Sequence, residues 1–550
     1  MKLLSLLLRE NRLALLGIGV LSLLSALLSV GVIAYINTRL IAGTTDLGEA
    51  LLGFGVLLLG LLLCATAAQV ALHGLGHRFV YRMRRSLVKR VLDTDIERLE
   101  QIGGARILAS LSTDIRNITI AFVGLPETLY GLALTAAAFA YLAWLSPLLF
   151  VTTLGWLTVT FFIGWLLVSR VHRHIQRMRQ AEDRLYANYQ DVIDGRKELA
   201  LNRERARRLY EEEFDANASA YRDEIIRADL FHGLSGNWAN IMVLGLIGLV
   251  FFLAGGLGWA TPEVAAVYAL TMLFLRTPMV SAVGTLPHLI TAQVSLAQLE
   301  ALELLPHQPR FPELSHIKPD WQVLHLQGLS YRYPAEEGEG FDVGPLDLSL
   351  RRGEVVFVIG GNGSGKSTFA RLLTGLFRPA GGSIRLDDTL VTPDNWVAYR
   401  QLFASVFTDF HLFSRLLGPQ GDEADSAEVD DWLNRLHLSR KVRIAEGRLQ
   451  DLRLSQGQRK RLALLLGLLE HRDIFLLDEW AADQDPLFRR LFYRELLPLF
   501  KEAGKTVVAI THDDRYFDQA DRILRMDNGR LTELDDAQRE QMRQGNLLLM

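Results

Sequence analysis

One cysteine in 550 residues leaves neither a partner for an internal disulfide nor a set of thiolates for a zinc centre, and excludes both as the means of holding this chain together. That cysteine, Cys64, stands in an apolar run and reads as a buried structural thiol. Excess charge is missing too: 59 Lys and Arg against 62 Asp and Glu give −3, so no global basic balance points to a nucleic-acid partner. Proline is scarce at 16 residues, yet Pro306, Pro309, Pro312 and Pro319 crowd into 301–320, which reads as a linker. Basic residues avoid two places: the stretches 38–49 and 260–262 hold one arginine between them, whereas 74–120 and 170–235 carry HRFVYRMRRSLVKR and SRVHRHIQRMR. The length excludes a single hydrophobic core, and the character of the sequence changes near residue 300.

Long apolar runs are what the first half does have. A bilayer core of about 30 Å takes about 20 helical residues. Six segments meet that length, near 13–37, 50–73, 121–145, 147–169, 236–259 and 263–290. The first outlasts the apolar core of a secretory leader and more runs follow it, so it reads as a retained span. Lys and Arg mark the cytoplasmic side. Both long connections are therefore expected in the cytoplasm, with Lys2, Arg9 and Arg12 beside them and, after six crossings, the second half as well. Both keep helical periodicity with mixed charge, as in YQDVIDGRKELALNRERARRLYEEEF, which predicts spans that continue as helices beyond the membrane. Their tips, near 97–106 and 208–214, are candidates for docking a cytoplasmic domain. Ser146-Pro147 separates the third and fourth spans with almost nothing polar between them and predicts a tight hairpin. Two charges lie within spans, Glu127 after Pro126 and Arg276 before Thr277-Pro278. Charge in lipid is costly, so each either faces a polar translocation cavity or sits near the interface and snorkels.

Alternating hydrophobicity begins at WQVLHLQGLSYRY, and a soluble α/β domain follows. VVFVIGGNGSGKSTFARLLTG sets an apolar strand, then G-x-x-x-x-G-K-S at 360–367, then a helix-period segment, the context that a P-loop requires. Glycines let backbone N–H groups fold around phosphate oxygens, and the N-terminus of the next helix attracts anions. The candidate nucleotide contacts are Gly360, Gly361, Asn362, Gly363, Ser364, Gly365, Lys366, Ser367 and Thr368, with Lys366 on the terminal phosphates and the Ser367 hydroxyl on Mg²⁺. Further on, RDIFLL reads as a buried parallel strand, and ligands of open α/β sheets sit at the carboxyl ends of strands, where Asp478 and Glu479 emerge. Asp478 then serves the Mg²⁺ side and Glu479 polarises the water that attacks the γ-phosphate. In LLDEWAADQDP, Asp483 reads as a solvated turn residue.

LSQGQRKR, opening a helical segment shortly before the Asp-Glu strand, resembles the LSGGQ signature of ATP-binding cassette (ABC) transporters, with Gln456 in place of a glycine. Six spans followed by one cassette resemble an exporter half-transporter over the whole chain. The resemblance implies further roles. Ser455, Gly457 and Gln458 contact the ATP held by a second copy, Tyr333 stacks on adenine, Asp485 communicates across the nucleotide-domain dimer, and His512 is the switch histidine near the γ-phosphate. One position departs from the family: where it has V-F-Q-D, this chain reads Val406-Phe407-Thr408-Asp409. The Thr408 hydroxyl is shorter than a glutamine amide and reaches the metal only through water; Asp409 is the neighbour able to compensate.

The expected fold is a multidomain membrane protein: a six-helix transmembrane bundle with long cytoplasmic helical extensions over 1–300, a linker at 301–320, and a P-loop α/β ATPase domain at 321–550. The resemblance implies ATP hydrolysis coupled to export, with ATP and Mg²⁺ as cofactors. It also implies a homodimer in the bacterial inner membrane, surrounded by lipid, with the nucleotide domain cytoplasmic and no nucleic-acid partner. GRKELALNRERA, IGGNGSGKST, LLDEWAADQDP and HDDRYF are similar to a bacterial group that exports cyclic or lasso peptides and peptide siderophore precursors, most of all to the pyoverdine-type exporters of pseudomonads. That likeness implies a peptide siderophore precursor moved from cytoplasm to periplasm. A lasso or cyclic peptide, a lipid or a drug is the alternative cargo. A membrane-anchored regulatory ATPase that transports nothing is the alternative of another class.

Overall fold

The computed structural model describes residues 12–41, 47–308, 310–311, 320–333, 340–450, 453–535 and 537–539. Lys2 and Arg9 at the start and the linker prolines Pro309, Pro312 and Pro319 lie outside the described residues. The chain separates into two compact units, one running up to Val88 and including Ala105–Leu304, the other formed by Lys89–Gly104 with the residues from Leu305 onward.

The first unit is helical. Among the described residues six helices are long and apolar enough to cross a membrane. Two of them, Leu47–Asp93 with 47 residues and Pro147–Asp194 with 48, show how the charged connections are used. At 1.5 Å per residue each runs about 70 Å, more than twice the bilayer core, so the spans continue into their basic segments without a break. Large apolar side chains such as Leu51, Leu62, Val151 and Phe162 stay exposed on the outside of the helices, as a lipid-facing surface requires. Cys64 is half-buried rather than buried.

Polar bonds fix the helix pairs. Ser146 is extended between Leu145 and Pro147, giving the expected hairpin, and Tyr268 from helix Pro262–Glu300 latches it: its hydroxyl lies 2.6 Å from the carbonyl oxygen of Leu142 and 2.8 Å from that of Ser146. Helices Pro147–Asp194 and Asp215–Phe251 are stitched by reciprocal indole bonds, Trp156 Nε1 to the Met242 carbonyl at 2.9 Å and Trp238 Nε1 to the Thr160 carbonyl at 3.1 Å. Helices Ile115–Leu145 and Pro262–Glu300 approach closely at Gly124, where a Cβ would stand 2.8 Å from Thr285 Cγ2. Nearby, Ser281 Oγ donates to Glu127 Oε2 at 2.6 Å, and Arg276 donates to Asn240 Oδ1.

The second unit is built on a sheet in the order β12-β11-β3-β10-β9-β6. Its strands are β3 (Val355–Ile359), β6 (Phe403–Val406), β9 (Ile474–Asp478), β10 (Thr506–Ile510), β11 (Arg522–Asp527) and β12 (Arg530–Glu533), parallel except for β12 against β11. All five residues of β3, β9 and β10 are buried, the run of apolar side chains expected of a parallel strand covered on both faces. Alternate residues go to different cores. Phe357, Phe475, Leu477 and Val507 pack with helix residues such as Leu465 and Phe492. Val356, Val358, Leu476 and Val508 instead face a second, antiparallel sheet of β1 (Val323–Arg332), β2 (Asp342–Arg351), β4 (Gly381–Leu386) and β5 (Thr389–Leu390). A small hairpin, β7 (Ile444–Ala445) with β8 (Arg448–Leu449), completes the strands.

Lys89–Gly104 belongs to this second unit through specific contacts. Helix Ile96–Ile102 bonds it at both ends: Tyr331 donates to Glu97 Oε1 at 2.9 Å and Arg371 Nη1 to Glu100 Oε2 at 3.1 Å, while Arg378 Nε lies 3.3 Å from Asp95. These acids fall at the first of the two expected docking tips. The second, 208–214, is a wide helical turn, Leu209–Phe214, in the first unit.

Candidate active site

Register places the key residues at one edge. Strand β10 pairs Ile510 with Val358 of β3 on one side and with Asp478 of β9 on the other, so the segments after β3, β9 and β10 all leave the carboxyl edge together.

After β3 the chain must reverse tightly. Gly363 and Gly365 have φ of +76° and +105°, conformations that L side chains rarely adopt, and a Cβ at Gly360 would stand 2.2 Å from the Met526 carbonyl oxygen. Helix Lys366–Leu373 starts directly after. Lys366 is buried, and its ammonium donates at 2.9 Å to the carbonyls of both Gly360 and Gly361. Burial lowers its pKa, opposed by Glu479 and Asp478. The Ser364 hydroxyl is buried with no hydrogen-bond partner. A glycine cradle at a helix N-terminus, an inward hydroxyl awaiting a partner and a buried ammonium form an anion site, and triphosphate oxygens fit it. Asn362, Gly363 and Ser367 are exposed along this loop, and Gly361 is half-buried. Tyr333, half-buried, places its hydroxyl 3.0 Å from Thr368 Oγ1, tying the aromatic to the loop's helix.

Asp478 is 3% exposed. Burial, then the charge of Glu479, pushes its pKa up to about 6. A carboxylate held in so unfavourable a state suits a cation, since a metal ion would offset both causes. Glu479 sits at φ +48° and ψ +35°, in the left-handed region, with its N–H on the Ile510 carbonyl at 3.0 Å. Its Oε1 lies 3.3 Å from His512 Nε2. The two candidate catalytic side chains are thus brought together. Thr408 and Asp409 are exposed two and three residues past β6, whose Val406 pairs with Leu477.

Ser455 caps helix Gln456–Leu469 through a capping box: Gln458 N–H donates to Ser455 Oγ at 3.3 Å, and Gln458 Oε1 accepts from the Ser455 N–H at 3.1 Å. A Cβ at Gly457 would stand 2.6 Å from the Asp483 carbonyl oxygen, so glycine permits the signature turn to lie against the segment after Glu479. Gln484 holds it there, donating to the Gly457 carbonyl at 3.1 Å and accepting from Arg461 Nε at 2.8 Å. Asp485 caps the next helix, accepting from the Phe488 N–H at 2.9 Å. Its other oxygen pairs with Arg461 Nη2 at 2.7 Å. The Phe488 bond first, then Arg461, keeps its pKa low against the opposing effect of burial.

Asp483 is an exposed turn residue, as expected, but its carboxylate also pairs with a buried cation: Lys460 Nζ lies 2.7 Å from it. Sequence reasoning passed over Lys460, Arg461 and Gln484. The only hint was three cations in RKR set some twenty residues before a string of acids, and that spacing has no meaning until a helix and a strand are packed side by side.

The transmembrane region of ABC transporters matches residues 11–279, and their ATPase region matches 343–482. Over 526 residues, 92% of each chain, the sequence is 32% identical to the ATP-binding protein SyrD of Pseudomonas syringae pv. syringae. The chain belongs to the ABC transporter family. It is also 24% identical over 505 residues to the ATP-dependent lipid A-core flippase of Burkholderia orbicola, covering 86% of this chain and 81% of the flippase. As an ABC transporter with six helices among the described residues long and apolar enough to cross a membrane, it is a multi-pass membrane protein that binds and hydrolyses ATP and uses that reaction to drive transport.

Proposed function

We propose that this ABC transporter works as a homodimer in the bacterial inner membrane and exports a peptide-type substrate, a siderophore precursor of the pyoverdine kind, from cytoplasm to periplasm. The observation that carries a polar cargo is the pair of charges on the spans. Glu127 and Arg276 are both exposed on the single chain, and each is bonded to a polar side chain of another span, Ser281 and Asn240. Arg276 lies within the span Pro262–Ser281 and spends its guanidinium on Asn240 of a neighbouring span, which favours a polar path between spans over a lipid-facing position. The peptide class rests on the family likeness of the motifs. A lipid cargo is the rival, favoured by the similarity to the lipid A-core flippase.

In the ATPase unit, Lys366 and the backbone of 360–368 hold the phosphates, with Tyr333 against the adenine. Glu479 polarises the attacking water, and His512, hydrogen-bonding distance away, orients Glu479 and senses the γ-phosphate. Ser367 and Asp478 would hold Mg²⁺, with Thr408 contributing through water, and the bound ion would neutralise charge at the phosphates. One chain carries one P-loop and one signature, so Ser455, Gly457 and Gln458 would close over the nucleotide of a second copy, with Asp485 at the seam. ATP binding draws the two cassettes together, and hydrolysis releases them.

The cargo class is tested by the ATPase rate of the purified protein in lipid nanodiscs. An acylated peptide siderophore precursor is expected to raise it several-fold with no response to added lipopolysaccharide; the reverse pattern would replace the peptide with a lipid.

A further inference from the structure

None of the steps above uses Lys460. It lies in the first turns of helix Gln456–Leu469, just past the signature, and is 3% exposed. Its ammonium donates at 2.7 Å to the carbonyl oxygen of Glu479 and lies 2.7 Å from Asp483 Oδ2. Its own carbonyl accepts the indole N–H of Trp480 at 2.8 Å. One residue of the signature helix therefore grips the chain at Glu479, at the residue after it, and at Asp483.

Burying an ammonium is expensive unless it is paired and fully bonded, so a cation at this depth calls for a reason beyond solubility. Glu479 supplies one. A glutamate at φ +48° occupies a region that non-glycine residues enter only at a cost and that persists only where neighbours enforce it. Relaxing to the ordinary helical or extended region would turn the Glu479–Trp480 peptide, whose carbonyl is the group Lys460 holds. The same rotation would swing the Glu479 side chain away from His512, 3.3 Å from it here.

We propose that Lys460 is a positioning residue. It fixes the left-handed backbone of Glu479 and so the aim of its carboxylate, and it ties that aim to the helix whose first turn carries Ser455 and Gly457. Because that first turn would face the nucleotide of the partner copy, seating of ATP there is relayed through Lys460 to the base of this chain. The inference rests on Glu479 being the base.

The experiment uses the full-length protein in nanodiscs with four variants: Lys460→Met, which keeps the length and removes the donor; Lys460→Gln, which keeps a donor; Asp483→Asn; and Glu479→Gln. Steady-state ATPase gives kcat and KM, and thermal unfolding reports integrity. Lys460→Met is expected to lower kcat about ten- to a hundred-fold, the loss typical of a misaligned catalytic group, with KM for ATP changed less than about twofold. Lys460→Gln is expected to recover most of kcat, and Asp483→Asn to fall between. Full kcat in Lys460→Met overturns the proposal. So does a loss shared equally by Lys460→Gln and accompanied by a lower unfolding temperature, which would make Lys460 a packing residue. Turnover surviving in Glu479→Gln removes the assignment of the base itself, an outcome read separately from the Lys460 variants.

Discussion

Asp478 shows how a single residue can carry both a site and a pH dependence. Its pKa of about 6 lies above the ordinary carboxylate value of 3.8, so between those limits the folded protein holds a proton that the unfolded chain has released. Its contribution to stability therefore declines as pH rises from about 4 to 6 and is largest below that window. With Asp478 as the proposed metal ligand, metal affinity would go the other way, because the ligand must be ionised. Mg²⁺ affinity of the nucleotide-free protein, followed by titration, is expected to weaken by up to about tenfold per unit as pH falls below about 6, and Asp478→Asn should flatten that slope. The placing of Lys366, Asp478 and Glu479 at one sheet edge was legible in the sequence, because a glycine-rich turn after one apolar strand and an acidic pair after another mark the ends of parallel strands. The pairing of Asp483 was not, because its partner is a lysine on another element, and a carboxylate in a turn looks the same whether it faces water or an ammonium.

Elements were legible where one pattern dominates. Six apolar runs became six long helices, and the strands VVFVI and TVVAI became buried parallel strands, since uninterrupted apolar sequence has few other solutions. Pairing between helices was not legible, because an apolar helix gives no sign of which neighbour it will meet. Gly124 is an example. It permits helix Ile115–Leu145 to approach Thr285 on helix Pro262–Glu300 so closely that an added methyl would clash at 2.8 Å. Gly124→Ala is expected to destabilise the first unit by about 1–3 kcal/mol, the usual cost of overpacking, seen as a lower unfolding midpoint in nanodiscs. Thr285→Ser removes the Cγ2 that the new methyl meets and should restore most of the loss; no recovery would place the strain elsewhere.

At the scale of the whole molecule the question is how ATP hydrolysis reaches the spans. The segment Lys89–Gly104 is continuous in sequence with helix Leu47–Asp93, yet its acids Asp95, Glu97 and Glu100 contact Arg378, Tyr331 and Arg371 of the ATPase unit. The Asp95 and Glu100 ion pairs are partly exposed and contribute at most about 1 kcal/mol each, and Glu97 accepts one hydrogen bond from Tyr331, so their joint removal should leave folding intact while loosening the hold of this segment on the ATPase unit. The variant Asp95→Ala, Glu97→Ala, Glu100→Ala is expected to hydrolyse ATP at a rate within about threefold of wild type but to transport several-fold less per ATP. Equal losses of both would assign the segment to stability alone. The central claim, ATP-driven export of a peptide-type cargo, is tested most directly in inside-out membrane vesicles supplied with an acylated peptide siderophore precursor. Mg²⁺ and ATP should drive its accumulation in vesicles carrying the wild-type protein and not in those carrying Glu479→Gln; accumulation equal in the two, or none in the wild type while ATP is consumed, would contradict the account.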